Sequence, residues 1–303
     1  MTETLSTPQR IVVGVDTSDN ALRAASWAAR QAADLGLALH LVHALDTLSQ
    51  PGLLAESSPL QRGGADRAGR AGRVEPRREE GARLLGQMAG RLTERFPALS
   101  VLGELSDASA PEALIERSGP TSLVVTGTRG RGGFAGLLLG SVSLKLAAHA
   151  HGPVVVVRGE ESGEPYHEIV LGVEPGEAEP PIRYAFAMAA AFRAQLTVVR
   201  AWSPHPAYGG YYVDDRDRAE AEHVAEAETL IKGLREEYPG VDACASAMRG
   251  NAVPMLMEAA RGSRLLVIGA HRQRSPLSVG AGYVVQGLLS HSPTPVAVVP
   301  IGE

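Results

Sequence analysis

Lysine is almost missing from this chain, with Lys145 and Lys232 standing against 27 arginines, and cysteine occurs once. Aromatic residues make up 4% of the chain, and no apolar run approaches the length of a membrane-spanning helix. Each shortage excludes something. The lone Cys244 has no partner for an internal disulfide; it lies in a strand-like run, 241–248, and reads as a small core side chain. Without a long apolar run there is no candidate transmembrane helix, so no membrane partner is expected. No Gly-Lys pair occurs, which removes the P-loop G-x4-G-K-[ST], and no G-x-S-x-G nucleophile elbow is present. A formal net charge of −5 lacks the basic surplus that holds a phosphate backbone, so nucleic acid is not expected as a partner. The preference for arginine over lysine reads as coding bias. The N-terminal stretch Met1 to Pro8 lacks the basic start and apolar stretch of a signal peptide, and the expected location is cytoplasmic.

What is present is a glycine pattern. Gly127-Thr-Arg-Gly130, followed by Gly140-Ser141, reads G-x2-G-x9-G-[ST] and directly follows the apolar run Leu123-Val-Val-Thr126. A glycine-bounded apolar run of this length is a strand signal. Ser141-Val-Ser143 then opens a helix-like segment. Strand, glycine-rich loop and helix start in that order suit an anion. Glycines let backbone N–H groups approach it, and the helix N-terminus supplies unpaired donors and the positive end of a dipole. An ordinary loop is the competing reading, and three glycines with a hydroxyl in this register speak against it.

The chain also repeats itself. Ile11-Val-Val-Gly-Val-Asp16 returns as Ile169-Val-Leu-Gly-Val-Glu174. Leu123-Val-Val-Thr-Gly127 returns as Leu265-Leu-Val-Ile-Gly269, and Pro153-Val-Val-Val-Val157 as Pro295-Val-Ala-Val-Val299. The last two recurrences share one offset, and it is shorter than that of the first. The difference places extra residues in repeat 1 after its second strand. The stretch Gln50 to Glu80, rich in Gly, Arg, Ser and Pro, is read as that insertion and as a mobile loop. Charge, Gly and Pro cluster again at Gly159 to Pro165, which divides the chain into domains 1–160 and 161–303, each long enough for its own core. Repeat 1 is predicted as strand 10–15, helix 20–35, strand 37–45, loop, helix 78–96, strand 98–105, helix 111–118, strand 122–127, helix 141–150 and strand 153–158. Such alternation argues a parallel sheet with helices on both faces. Ligands of such sheets sit beyond the strand C-termini, where strand order reverses.

The glycine motif, the strand Ile11 to Asp16 ending in Asp, the second strand Leu39-His-Leu-Val-His43-Ala44 and the closing strand Pro153 to Val157 together resemble the universal stress protein family. The likeness covers nearly the whole chain, as a tandem member with two repeats. It implies two Rossmann-like domains of the adenine nucleotide alpha hydrolase-like type, each a five-stranded parallel sheet of order 3-2-1-4-5. The reversal then falls between strands 1 and 4, which end at Asp16 and Gly127, so the two motifs would meet although they lie far apart in the chain. The implied ligand is ATP, with or without Mg2+. Asp16 would contact the ribose or adenine edge beside the backbone of Gly14 and Val15, and Ala44 would meet the adenine through its backbone. Gly127, Gly130, Gly140 and Ser141 would cradle the phosphates, with Val142 and Ser143 donating at the helix start. Arg129 and Arg131 would neutralise phosphate charge, or form a solvated basic loop. No catalytic residues are implied; at most the protein is a slow ATPase. The family's single-domain members pair along the last strand, which implies pairing of the two repeats within one chain and leaves a homodimer open.

Repeat 2 departs from the pattern. By the offsets, Asp16 becomes Glu174, Gly130 becomes Arg272, Ser141 becomes Tyr283 and Ala44 becomes Trp202. An arginine where glycine takes positive φ is strained, and Tyr283 and Trp202 are expected to obstruct a nucleotide, so domain 2 is read as degenerate. His271, Arg272 and Arg274 leave another anion open there. Gly130-Arg-Gly132-Gly-Phe-Ala135 fits a dinucleotide fingerprint but follows the wrong strand and lacks its acidic partner. His40 and His43 fall on opposite faces of one strand and do not make a metal pair. Two further function classes stay open: an ATP-using enzyme of related fold, ATPase or adenylating, whose S-G-G-x-D-S or H-I-G-H loops are missing after strand 1, and a nucleotide-free interaction scaffold.

Overall fold

The computed structural model describes residues 7–46, 65–130, 138–159, 167–203, 216–271 and 282–302. Repeat 1 runs β1 (Arg10–Gly14), α1 (Asp19–Leu35), β2 (Leu39–Ala44), α2 (Ala65–Arg95), β3 (Val101–Ser106), α3 (Ala110–Ile115), β4 (Ser122–Gly127), α4 (Ser141–His149) and β5 (Val154–Val157). Repeat 2 runs β6 (Glu168–Val173), α5 (Glu179–Phe192), β7 (Gln195–Trp202), α6 (Arg216–Glu237), β8 (Ala243–Arg249), α7 (Ala252–Ala259), β9 (Leu265–His271), α8 (Tyr283–His291) and β10 (Val296–Ile301). The strands form one ten-stranded sheet of order β3-β2-β1-β4-β5-β10-β9-β6-β7-β8. Within each repeat every pairing is parallel and the order is the expected 3-2-1-4-5.

The last strands meet as expected: β5 and β10 pair antiparallel, with Val296 opposite Val156 and Ala297 opposite Val155. Strands β4 and β5 are buried at every position, the state in which parallel strands read as continuous apolar runs. Side chains alternate between faces. Ile11, Val13, Leu123 and Leu171 belong to the core beneath α1, α2, α5 and α6, whereas Val12, Val124, Leu146 and Leu288 belong to the core beneath α3, α4, α7 and α8. Both cores run unbroken across the two repeats. Helix α1 lies close to the sheet because its inner face is small: Ala24, Ala25, Ala28, Ala29 and Ala32 are fully buried. A second tie joins the repeats. Arg264, just before β9, donates from Nε to Gln31 of α1 at 2.9 Å, ion-pairs with Asp34, and lies 3.7 Å above the Phe192 ring.

Two expectations need correction and a third is sharpened. Within the stretch read as a mobile loop, residues 65–80 are helical, the first part of the 31-residue α2, which carries Pro76 in its interior. That part is dominated by Ala, Arg and Glu, strong helix formers, and one proline removes a single donor without ending the helix. Residues 47–64 lie outside the described residues. Arg78 then anchors the helix to Asp107 at 2.6 Å. Register also refines the insertion: Leu39 pairs with Val101 and Leu196 with Ala243, so the longer path of repeat 1 runs from its second strand to its third. Much of the excess is helix, since α2 has 31 residues and α6 has 22. Finally, Cys244 is exposed, not in the core, because β8 is a sheet-edge strand with most of its residues partly open.

Residues 7–158 expressed alone would bare the β5 edge, and an apolar edge recruits another strand. This piece is expected to self-associate through β5. Size-exclusion chromatography with light scattering reads its mass, and a stable monomer would show that β5 does not drive the pairing.

Candidate functional site

The β1 and β4 C-termini lie side by side at the point where strand order reverses, and a cavity of about 300 Å³ opens there. Gly14, Val15 and Asp16 come from the end of β1, Ala44 from the end of β2, and Gly127, Arg129 and Gly130 from the loop after β4. Gly140, Ser141, Val142 and Ser143 come from the start of α4. Eleven of the twelve residues singled out by sequence therefore wall one space; the twelfth, Arg131, lies outside the described residues. Sequence reasoning missed the contribution of α3, whose Ala110, Ala113 and Leu114 form an apolar wall, together with Val42 and Thr126.

Each position has a local cause. Asp16 Oδ1 accepts from the backbone N–H of Ser18 at 2.9 Å and from its hydroxyl, while Ser18 Oγ accepts from Ala21 N at 3.2 Å as the N-cap of α1. The helix cap thus sets the carboxylate's orientation. The side chains following Asp16 are small and polar, Thr17-Ser18-Asp19-Asn20, which is the capping signature a sequence reading can detect. Asp16 Oδ2 faces the glycine loop: a Cβ on Gly130 would lie 2.5 Å from it. Gly130 is not among the positive-φ residues, so its constraint is close approach, not a left-handed backbone. Gly127 is constrained the same way, since a Cβ there would meet Asn20 O of α1 at 2.7 Å. At Gly140 the nearest atom would be Thr128 O at 3.2 Å, the carbonyl that already accepts from Gly140 N at 2.7 Å.

Backbone directions alternate along β2. Leu39 N and Leu45 N donate toward the β3 side, to Ser100 O and Ser106 O, whereas Val42 O accepts from Val15 N on the β1 side. Ala44 shares the side of Val42, and β1 has ended by then, so the N–H and C=O of Ala44 point into the cavity. The Val15 carbonyl is taken by His43 Nδ1 at 2.8 Å, which must donate because a carbonyl only accepts. Val15 thus has both backbone groups engaged and serves as wall. At the other side Gly140 begins α4, and no side chain caps it. The Ser143 hydroxyl donates to Gly127 O at 2.8 Å and is buried, which leaves its backbone N–H, with those of Ser141 and Val142, as first-turn donors facing an anion. Asp16 and Ala44 also border a second opening, about 650 Å³, on the α2 side with Arg77 and Glu80.

Repeat 2 differs by another route than the one expected. Register pairs Ile11 with Leu39 and Ile169 with Leu196, so Ala44 corresponds to Ala201 and Leu45 to Trp202. The Trp202 ring lies against His223 of α6, 4.9 Å between centroids. Tyr283 is 84% exposed and does not fill the crevice. The change instead lies in the loop after β6. Helix α1 follows β1 after Val15 to Ser18, whereas Glu174 to Ala178 separate β6 from α5. Ala178 gives no side-chain cap, and Glu177 folds back so that a Cβ on Gly269 would meet its Oε1 at 2.6 Å. That oxygen is buried without a hydrogen-bond partner, and burial pushes the Glu177 carboxyl above the usual carboxylate range. Val285 stands where Ser143 does. Arg272 and Arg274 lie outside the described residues.

A family model described as the universal stress protein family matches residues 7–158 and again 165–300. A universal stress protein of Mycolicibacterium smegmatis is 29% identical over 306 residues, spanning 97% of this chain and 98% of its own. One of Mycobacterium tuberculosis is 29% identical over 296 residues, with 95% of each chain covered. The crystal structure of a universal stress protein from Archaeoglobus fulgidus superimposes with a TM-score of 0.66 at 14% identity, covering 97% of this chain and 99% of that one, a likeness of fold.

Two substitutions test the packing account. Gly127→Ala is expected to lower stability by about 1–3 kcal/mol, because backbone of α1 must give way, whereas Gly86→Ala, in α2 with no atom within 4 Å of the new methyl, should raise it by about 0.5–1 kcal/mol. Urea unfolding measures both, and equal effects would refute the close-approach argument. Glu177 gives a pH test. Its folded pKa is raised, so its contribution is fully favourable only below the unfolded value, near 4.5, and is lost as pH rises through the folded one. Glu177→Gln should therefore raise Tm at pH 7 to 8 and lose that advantage near pH 4; a constant difference across the range would rule out titration of this carboxyl.

Proposed function

The chain belongs to the universal stress protein family, and on that premise we propose that it is an ATP-binding regulatory protein in which domain 1, residues 1–160, holds one nucleotide per chain. The observation that carries the reading is the convergence of the Asp16 strand end, the 127–130 glycine loop and the uncapped start of α4 on one cavity at the sheet's reversal point. The adenine edge would meet the N–H and C=O of Ala44, and the ribose hydroxyls the carboxylate of Asp16. The phosphates would lie over Gly127, Gly130 and Gly140, against the N–H groups of Ser141, Val142 and Ser143 and beside Arg129. The cradle suits this, since a Cβ on Gly130 or Gly140 would intrude on the loop itself. Asp16 is the one carboxylate lining the cavity among the described residues, so a companion Mg2+ would be held mainly by the phosphates.

The described lining contains no His, Glu or Lys to activate water, which favours ATP as a conformational ligand over a turned-over substrate and leaves at most slow hydrolysis. The nucleotide acts by stabilising whichever arrangement binds it. Domain 2, residues 161–303, is proposed as the degenerate partner, with the Glu177 fold-back in place of the Asp16 turn. A site for ATP implies a cytoplasmic protein; no helix among the described residues is long and apolar enough to cross a membrane.

Isothermal titration should give one ATP per chain. Asp16→Ala is expected to weaken binding by about 1.5–3 kcal/mol, roughly 10- to 150-fold, through loss of a charged hydrogen bond. Gly140→Leu should abolish it, because the side chain collides with Thr128 and Arg129. Two equal sites per chain would overturn the assignment of domain 2, and no binding at all would leave an interaction scaffold as the function.

A further inference from the structure

A third cavity of about 720 Å³ opens where the two repeats join, beside the C-terminal end of β5, and its chemistry is unlike that of the crevice. Repeat 1 contributes Arg23 and Trp27 of α1, Arg95 at the end of α2, and Arg158 just after β5; repeat 2 contributes Arg261, Arg264 and His291. Five arginines line it and, among the described residues, no carboxylate does. Two of the five are matched by acids outside the lining, Arg261 by Glu258 at 2.8 Å and Arg264 by Asp34, and Arg95 has a partner as well. Arg23 meets an amide oxygen, Asn20 Oδ1, at 2.9 Å. Arg158 Nη1 is buried and has no hydrogen-bond partner. A buried guanidinium donor without an acceptor is costly, and an anion seated in the cleft would supply the acceptor.

Helix α6 ends at Glu237, shortly before β8, and Glu237 ion-pairs there with Arg183 of α5. Helix α2 ends at Arg95, at the same remove from β3, so the counterpart of that acid is a base, and it lines the same cleft as Arg23 of α1. Where repeat 2 sets an acid against its arginine, repeat 1 places a second arginine, and Arg23 meets the Asn20 amide oxygen instead of a carboxylate.

We propose that this inter-repeat cleft is a binding site for a multiply charged oxyanion of the phosphate or pyrophosphate class, held chiefly by Arg158 and Arg23. A guanidinium presents a planar fork of donors that matches phosphate oxygens in pairs, which suits arginine to this role better than lysine. The site is separate from the nucleotide crevice and stands whether or not ATP binds there.

The full chain in phosphate-free buffer, titrated with inorganic pyrophosphate, tests the proposal. Thermal unfolding should show a rise in Tm with pyrophosphate that shrinks as salt is added. Calorimetry should show at least a tenfold loss of pyrophosphate affinity in Arg158→Gln and in Arg23→Gln, while Arg158→Gln leaves the ATP titration as in the parent protein. Arg158→Met without ligand should keep or raise Tm, because it removes a buried unpaired donor. Absence of a pyrophosphate effect on the parent protein would overturn the site, as would affinity unchanged in both glutamine variants. A fall in Tm for Arg158→Met in the absence of ligand would also overturn it, by showing that the guanidinium serves the fold itself.

Discussion

The antiparallel pairing of β5 with β10 is the contact on which the rest of the molecule depends. Each repeat ends in a short run of valines, and such a run leaves an apolar edge with unpaired backbone groups. Placing the two edges against each other removes both liabilities and makes one sheet of ten strands. It also merges what would be four half-cores into two layers, one on either face. Helices α1 and α5 meet above the joint, and the Arg264 contacts to Gln31 and Asp34 add direction to an otherwise apolar seam. The crevice in repeat 1 sits one strand away from this joint, on β4 and β1.

Close approach is the second organising constraint. Three glycines of the phosphate-type motif are often explained by backbone freedom, yet here Gly127, Gly130 and Gly140 keep φ outside the left-handed region. They are small because something else is near: the first turn of α1, the Asp16 carboxylate and the Thr128 carbonyl. The motif therefore describes how tightly α1, the β4 loop and α4 converge. The resulting cavity is a by-product of that convergence, walled by these segments and by Leu114 with its neighbours on α3.

Much of this was legible in the sequence. Repeated apolar runs located the strands, their alternation with helical segments argued a parallel sheet, and the likeness to the universal stress protein family supplied the strand order and the residues that share one wall. The misses have physical reasons. The length of α2 was hidden because Gly, Pro and Ser in the 50–80 stretch masked the Ala, Arg and Glu of its second half. Cys244 was assigned to the core because a strand pattern does not say whether the strand is at an edge. Trp202 was aligned to Ala44 by counting from β1, but the β6–α5 turn and α5 differ in length from their counterparts, so hydrogen-bond register alone restores the match to Ala201. The orientation of Tyr283 depends on one rotation about a helix axis, which composition does not encode. Neither the half-buried Glu177 nor the arginine-lined cleft had any local signal, since both arise from residues distant in the chain.

Helix α1 is a single stiff body about 25 Å long, at 1.5 Å per residue over its 17 residues. Its first turn supplies the Ser18 cap that aims Asp16 and the Asn20 carbonyl that abuts Gly127. Its flank presents Arg23 and Trp27 to the inter-repeat cleft, and its far end is moored to repeat 2 through Gln31 and Asp34. A rod seated at three stations cannot shift at one without registering at the others. The geometry of the crevice and the placement of the second repeat are thus readings of the same mechanical coordinate. Any free energy that one station contributes to positioning the rod is returned, by reciprocity, at the next.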